Sequence, residues 1–212
     1  MGFYTTKPAF RAALRPIARR AAIIPPDGWT WVAVGVCVVA GWLLALSRTF
    51  PAGLLVVPSL LFLRLLLNVL DGVIAEETHK ASARGEALSE FADRLADVAV
   101  LVGFAASGWG WLPAAVASII IVLLVSYIGI LGKAVGAGRQ YGGLMGKPDR
   151  MVVIMVACLV QYGVWRTGLT PPRVFGVDVT VFDCGALTMI VLGLWTIMVR
   201  VRAINRTLAA RR

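Results

Sequence analysis

Residues 64–97 read RLLLNVLDGVIAEETHKASARGEALSEFADRLAD. This stretch places ionisable and amide side chains at helical spacing on two neighbouring apolar segments: Arg64, Asn68, Asp71, Glu86, Glu90, Asp93, Arg94 and Asp97. A charge at membrane depth costs about 2.5 to 3.5 kcal/mol on insertion scales, so it is kept mainly where it faces a polar cavity, a partner or a metal ion. The stretch therefore predicts two adjacent transmembrane helices that carry a functional site.

The rest of the chain has the composition of a membrane protein. Of its 212 residues, 59% are hydrophobic and 15% are charged, and the mean hydropathy is +0.82; soluble domains of this length are far more polar. Six windows are long and apolar enough to cross a bilayer at about 20 residues each. They are 29–46, 52–75, 87–107, 112–131, 151–165 and 182–199. We expect an all-α integral membrane protein with six transmembrane helices.

The basic residues follow the loops between these windows. With six spans, sixteen lysines and arginines fall on the side of the termini, and three fall on the other side: Arg48, Arg166 and Arg173. This asymmetry predicts that both termini are cytoplasmic, as in a bacterial inner membrane protein. The net charge of +10 is thus explained by topology and contact with membrane lipids, and we expect no nucleic-acid partner.

Three regions are expected along the chain. Residues 1–26 carry an apolar stripe that includes Phe10, Leu14 and Ile17 beside several arginines, which fits an amphipathic helix at the cytoplasmic interface. A basic tail that only sets topology is the alternative. Residues 27–205 form the six-helix transmembrane catalytic domain, and 206–212 form a basic cytoplasmic tail.

One face of the second window combines polar and small side chains. Arg64, Asn68, Asp71, Gly72 and Ala75 share that face of a helix. The small residues Gly72 and Ala75 favour either close packing of helices or the approach of a flat ligand to the backbone beside the polar groups.

The third window begins with an acidic stripe. Its members recur with helical period: Glu86, Ser89, Glu90, Asp93 and Asp97. Like charges on one helix face repel unless something positive lies between them, and the candidates are Arg64, Arg94, Lys80 or a divalent cation. Oxygen ligands favour Mg²⁺, Mn²⁺ or Ca²⁺ over zinc. His79, the only histidine, is expected to be solvated.

The loop before the fifth window is basic and rich in glycine. Its cations are Arg139, Lys147 and Arg150. Such a loop can bring backbone N–H groups and positive charge to a phosphate. The alternative is that these charges only set topology. We predict a phosphate-binding site at these three residues and at Arg64.

The acidic stretch also resembles a known signature. Asp71, Gly72, Ala75, Gly85 and Asp93 match in identity and spacing the pattern D-x2-D-G-x2-A-R, about eight residues, G-x3-D-x3-D. That pattern is typical of the CDP-alcohol phosphatidyltransferases. Three positions depart from it, with Asn68, Glu76 and Ser89 in place of aspartate, arginine and aspartate.

The resemblance implies a chemistry and a ligand set. In that family four aspartates hold two metal ions against the diphosphate of a CDP-linked lipid, and the last aspartate deprotonates the acceptor alcohol. Transferred to this chain, the resemblance implies Asp93 as the base and one or two Mg²⁺ or Mn²⁺ ions. The predicted metal ligands are Asp71, Asp93, Asn68, Glu90, Ser89 and Glu86, and the predicted contacts to the donor nucleotide are Gly72, Ala75, Gly85 and Glu76. A homodimer is also implied.

The sequence leaves three functions open. The first is a membrane phosphatidyltransferase of phospholipid synthesis, with a CDP-diacylglycerol-like donor and a small polar alcohol as acceptor. The second is an ion or solute transporter, which would favour inverted repeats and sites near the bilayer centre. The third is a family member without catalysis that binds lipid or a partner.

Overall fold

The computed structural model describes residues 16, 20–21, 23–78, 82–174 and 177–211. Across these residues the chain forms six long helices: α1 (Pro26–Ala45), α2 (Gly53–Glu77), α3 (Ala83–Ala106), α4 (Leu112–Ala134), α5 (Lys147–Thr167) and α6 (Val181–Ala209). Between α5 and α6 lies an antiparallel hairpin of β1 (Arg173–Val174) and β2 (Val177–Asp178). The predicted interfacial segment falls mostly outside this coverage, as do His79 and Lys80.

Each predicted window lies within one of these helices or extends beyond its end by one residue. Five of the six helices are long and apolar enough to cross a membrane: α1 from Asp27, α2, α4, α5 and α6. Large apolar side chains such as Trp42, Phe62 and Leu187 are exposed, as expected where lipid replaces water. The chain is therefore an integral membrane protein. Helix α3 is not among these five candidate spans, and it is the helix that carries the acidic stripe.

The chain folds as two compact units, Met1–Phe104 and Ala105–Arg212. In the first unit, α1 begins at Pro26, a residue suited to the first turn because it has no N–H to leave unpaired. Helix α1 approaches α3 closely through glycine. A methyl group at Gly41 would run into the backbone carbonyl of Ala99, and one at Gly103 would run into the carbonyl of Gly41. This backbone contact fixes α3 against α1.

In the second unit, capping side chains set where the helices begin. Asp149 accepts a hydrogen bond from the backbone N–H of Gly146 at 2.8 Å at the start of α5. Thr180 and Asp183 form a reciprocal capping box at the start of α6. Helix α6 continues to Ala209, so the first residues of the predicted basic tail extend the last transmembrane helix.

Candidate active site

A buried ion pair joins α2 to α3 in the first unit. Nη2 of Arg64 lies 3.2 Å from Oδ1 of Asp93 and 3.8 Å from Oδ1 of Asp97. Arg64 is only 1% exposed and Asp97 is fully buried, so the attraction is screened far less than at a surface. Of the two candidate cations in the described part of the chain, Arg64 and Arg94, Arg64 is the one that reaches the acidic stripe from the neighbouring helix.

Asn68 strengthens the same contact one helical turn further along α2. Its Nδ2 donates a hydrogen bond to Oδ1 of Asp93 at 3.1 Å. The side chain predicted as a metal ligand thus acts here as a donor to the carboxylate. Arg64 and Asn68 share one oxygen of Asp93, and together they fix the orientation of that carboxylate.

Asp97 lies between two guanidinium groups. Besides Arg64, it faces Arg94 of its own helix, whose Nη2 is 3.6 Å from Oδ2 of Asp97. Two arginines therefore oppose two aspartates, and the formal charge of this cluster of four is zero.

Asp71 is held from a different direction. It is 7% exposed, and its Oδ2 accepts a hydrogen bond at 3.0 Å from the hydroxyl of Thr30 on α1. Reasoning from the sequence missed Thr30. The available signal was a single hydroxyl between Trp29 and Trp31 at the start of an apolar window.

The other predicted residues of the first unit differ in exposure. Gly72, Ala75, Gly85, Ser89 and Glu90 are half-buried, whereas Glu76 and Glu86 are exposed. Gly85 lies in the first turn of α3, where its N–H donates to the hydroxyl of Ser82 at 3.1 Å.

A divalent ion is a poor match for this arrangement. Among the described residues, no group of three or more His, Cys, Asp or Glu side chains is placed to hold a metal ion. The carboxylates of Asp93 and Asp97 face arginines, and Asp71 accepts a hydroxyl hydrogen bond. Within the part of the chain that the structure describes, the side chains in this arrangement therefore do not form a two-ion centre.

Three of the four predicted phosphate-binding cations lie in the second unit, whereas the fourth, Arg64, lies in the first. Arg150 is 2% exposed, and its Nη1 donates to Oγ of Ser126 at 3.0 Å and to the carbonyl of Val122 at 3.4 Å. The guanidinium of Arg139 lies 5.3 Å from the centre of the Tyr141 ring. Lys147 is half-buried in the first turn of α5.

A second buried arginine, which the sequence pattern assigned only to topology, anchors the basic loop. Arg200 on α6 donates through Nε to the carbonyl of Gly142 at 2.9 Å and through Nη1 to that of Val125 at 2.7 Å. Arg150 and Arg200 therefore reach the same turn of α4. The sequence signal was an arginine at the end of the last apolar window.

Several known proteins are similar to this chain over most of its length, and two of them are described next; no family model matches the chain. Inner membrane protein YnbA of Escherichia coli is 30% identical over 178 residues, which are 78% of this chain and 86% of that protein. Phosphatidylinositol phosphate synthase of Mycolicibacterium smegmatis is 31% identical over 166 residues, which are 73% of this chain and 71% of that protein.

The fold is similar to solved structures of phosphatidylinositol phosphate synthase from Mycobacterium tuberculosis. The structure with CDP-DAG bound has a TM-score of 0.69 and 22% identity, and the match covers 90% of this chain and 92% of that one. The structure in complex with manganese and citrate has a TM-score of 0.70 and 20% identity, with 89% and 87% covered. At 20% and 22% identity, the similarity to these structures shows a shared fold only.

Proposed function

The chain belongs to the CDP-alcohol phosphatidyltransferase family, and from that premise we propose that it transfers a phosphatidyl group from a CDP-diacylglycerol-like lipid to a small polar alcohol. CMP is the other product, and the reaction serves phospholipid synthesis. The observation that carries the proposal is Asp93, the last aspartate of the signature, held in a fixed orientation between Arg64 and Asn68.

Asp93 is the proposed general base. The acceptor hydroxyl attacks the phosphorus next to the lipid, the bond from that phosphorus to the CMP oxygen breaks, and the hydroxyl proton passes to the Asp93 carboxylate. Arg64 pairs with this carboxylate by charge, and Asn68 fixes its direction by hydrogen bonding. A base held in this way is oriented before the substrate arrives, which lowers the entropic part of the barrier.

The donor nucleotide is assigned to the face of α2 and the start of α3. Gly72, Ala75 and Gly85 give the cytidine a close approach to the backbone, as the resemblance implies. Glu76 lies at the exposed end of α2. A carboxylate at this position repels phosphate, so its contact with the donor is expected to be with the nucleoside rather than the diphosphate.

The acceptor is proposed to carry a phosphate. Two observations support this: the cations Arg139, Lys147, Arg150 and Arg200 in the second unit, and the name of the mycobacterial relative, a phosphatidylinositol phosphate synthase. Arg150 and Arg200 are committed to carbonyl and hydroxyl oxygens, so Lys147 and Arg139 are the better candidates for direct contact with the phosphate. Arg150 and Arg200 then shape the loop that presents them.

Several finer expectations stay predictions. They are a homodimer, six spans rather than five, location in a bacterial inner membrane, and cytoplasmic termini. Mg²⁺ or Mn²⁺, as one ion or two, also stays a prediction, supported by a fold neighbour solved with manganese. The relatives do not favour the transporter.

The test is release of CMP by the purified full-length protein from CDP-diacylglycerol, with inositol phosphate, glycerol phosphate, inositol and serine as acceptors, each with Mg²⁺, with Mn²⁺ and with a chelator. We expect release with a phosphorylated acceptor. Asp93→Asn should lower it by about a hundredfold or more, whereas Asp178→Asn, an exposed carboxylate of the hairpin, should leave it unchanged. Equal rates in the two variants, or no release with any acceptor, would refute the proposal.

A further inference from the structure

We propose that Arg64 is a built-in counter-ion of the acidic site, and that its guanidinium takes the position beside Asp93 and Asp97 in which a divalent cation would otherwise bind. This inference concerns the same site as the proposed function. It describes the charge balance between α2 and α3 and not a step of the reaction. It explains why the described carboxylates do not form a metal centre.

Charge repulsion on α3 creates the need for a counter-ion. Asp93 and Asp97 are one turn apart on α3, and their carboxylates repel unless a positive charge lies near both. Nη2 of Arg64 satisfies that need from within 3.2 Å of one and 3.8 Å of the other. Arg94 adds a second positive charge beside Asp97, so the formal charges of these four side chains sum to zero without a divalent ion.

The hydrogen-bond donors on α2 also disfavour a metal ion. Two side chains of this helix reach Asp93, and both present N–H groups: the guanidinium of Arg64 and the amide Nδ2 of Asn68. A bound cation requires oxygen atoms on all sides. An N–H group that points at Oδ1 of Asp93 places partial positive charge beside that oxygen and disfavours an ion there.

Burial makes the counter-ion a lasting part of the site. Arg64 is 1% exposed and Asp97 is fully buried. Dissolved ions therefore do not readily replace Arg64 as the partner of Asp97, whereas they can replace an arginine at the surface. Interactions between charges at this depth are weakly screened. Divalent ions must therefore compete with Arg64 for the two carboxylates.

The experiment measures binding of Mn²⁺ to the full-length protein in detergent, from the electron paramagnetic resonance signal of free Mn²⁺. Arg64→Met removes the competing charge and should bind Mn²⁺ at least about tenfold more tightly than the unaltered protein. Arg64→Lys keeps the charge and should resemble the unaltered protein. Arg202→Met removes an exposed charge from the second unit and controls for net charge.

Two outcomes would overturn the inference: the unaltered protein binds Mn²⁺ as tightly as Arg64→Met, or Arg64→Lys gains as much affinity as Arg64→Met. If Arg64→Met unfolds during purification, Mn²⁺ added at extraction should restore the folded protein, because the ion then supplies the missing charge. Failure of Mn²⁺ to do so, with folding restored only by Arg64→Lys, would equally refute the counter-ion role.

The counter-ion and the transferase can fail independently. If the unaltered protein binds Mn²⁺ tightly and releases CMP only with Mn²⁺, the counter-ion proposal is refuted and the transferase proposal stands. If Arg64→Met gains Mn²⁺ affinity and no CMP is released under any condition, the counter-ion proposal stands and the transferase proposal is refuted.

Discussion

At the scale of single residues, the two retained aspartates of the signature are held by different helices. Asp93 takes its partners from α2, whereas Asp71 takes a hydroxyl from α1. A buried carboxylate that loses a donor keeps its desolvation cost without the compensating hydrogen bond. Thr30 is therefore a positioning residue for Asp71.

Thr30→Val tests that role, since it replaces the hydroxyl by a methyl group of similar size. We expect a loss of about 1 to 3 kcal/mol in the free energy of unfolding together with slower CMP release. Thr30→Ser, which keeps the donor, should recover most of both. Thermal unfolding and the CMP assay provide the two measurements, and a Val variant as stable and active as the Ser variant would show that the hydrogen bond has no role.

The partners of these residues were only partly predictable from sequence. Helical spacing places Arg64 and Asn68 on one face of α2, and Asp93 on a stripe of α3, so a meeting of the two faces was foreseeable. Charge repulsion also pointed to Arg64 as a neutralising cation. The face of α1 that meets Asp71 was not predictable from the charge pattern, because the residue that makes the contact, Thr30, is a single uncharged hydroxyl between two tryptophans.

At the scale of helices, the contact between α1 and α3 depends on the absence of side chains. Gly41 and Gly103 let the two backbones touch, and a Cβ at either position would meet carbonyl atoms of the facing helix. Backbone cannot yield as a flexible side chain can, so the helices would have to separate. That separation would also displace Asp93 and Asp97 on α3.

Gly41→Ala should therefore destabilise the first unit by about 1 to 3 kcal/mol, as overpacking does in well-packed cores. Gly35 lies on the same helix, and a Cβ there would meet nothing within 4 Å. Gly35→Ala should leave stability unchanged or raise it slightly, through higher helix propensity. Thermal unfolding of the two variants in the same detergent makes the comparison, and equal midpoints would contradict the close contact.

A second element depends on one hydroxyl in α6. Oγ1 of Thr196 accepts hydrogen bonds from the backbone N–H groups of Leu144 and Met145, each at 3.1 Å, and donates to the carbonyl of Leu192. The basic loop is thereby attached to α6 just before α5 begins.

Thr196→Val should release this attachment. We expect amide hydrogen exchange at Leu144 and Met145 to become at least about fivefold faster, which corresponds to the loss of roughly 1 kcal/mol of local stability. Thr188→Val, an exposed threonine of the same helix that bonds only its own turn among the contacts described, is the matched control. Unchanged exchange at both amides would show that the loop is held by other contacts.

The positions of the helices themselves were largely readable from the sequence. Apolar windows of about 20 residues coincide with the six long helices of the described residues, and five of these helices are candidate spans. The reason is that the bilayer imposes both length and composition on a span. Their ends were less predictable, because capping decides them: α5 begins at Lys147, four residues before its apolar window, where Asp149 caps the backbone of Gly146. Hydropathy does not register such polar turns.

At the scale of the whole molecule, the number of spans determines the side of the membrane on which each loop lies. Six spans put both termini on one side, whereas five spans, with α3 lying along the surface, put them on opposite sides. Because of its charges, α3 is not among the helices that are apolar enough to be candidate spans. Its pairing with α2, however, neutralises Asp93 and Asp97. Neutralised pairs lower the cost of placing such a helix inside the membrane, and we therefore expect α3 to span.

Single cysteines introduced in place of exposed residues distinguish the two topologies in intact cells treated with a membrane-impermeant maleimide, after Cys184, which is exposed, is changed to serine. Six spans predict labelling at Arg48→Cys and Asp178→Cys and protection at Arg211→Cys. Five spans predict labelling at Arg48→Cys and Arg211→Cys and protection at Asp178→Cys. The excess of sixteen basic residues over three favours the first pattern, because five spans would move the basic loop 135–146 and the arginine-rich end of α6 outside the cytoplasm.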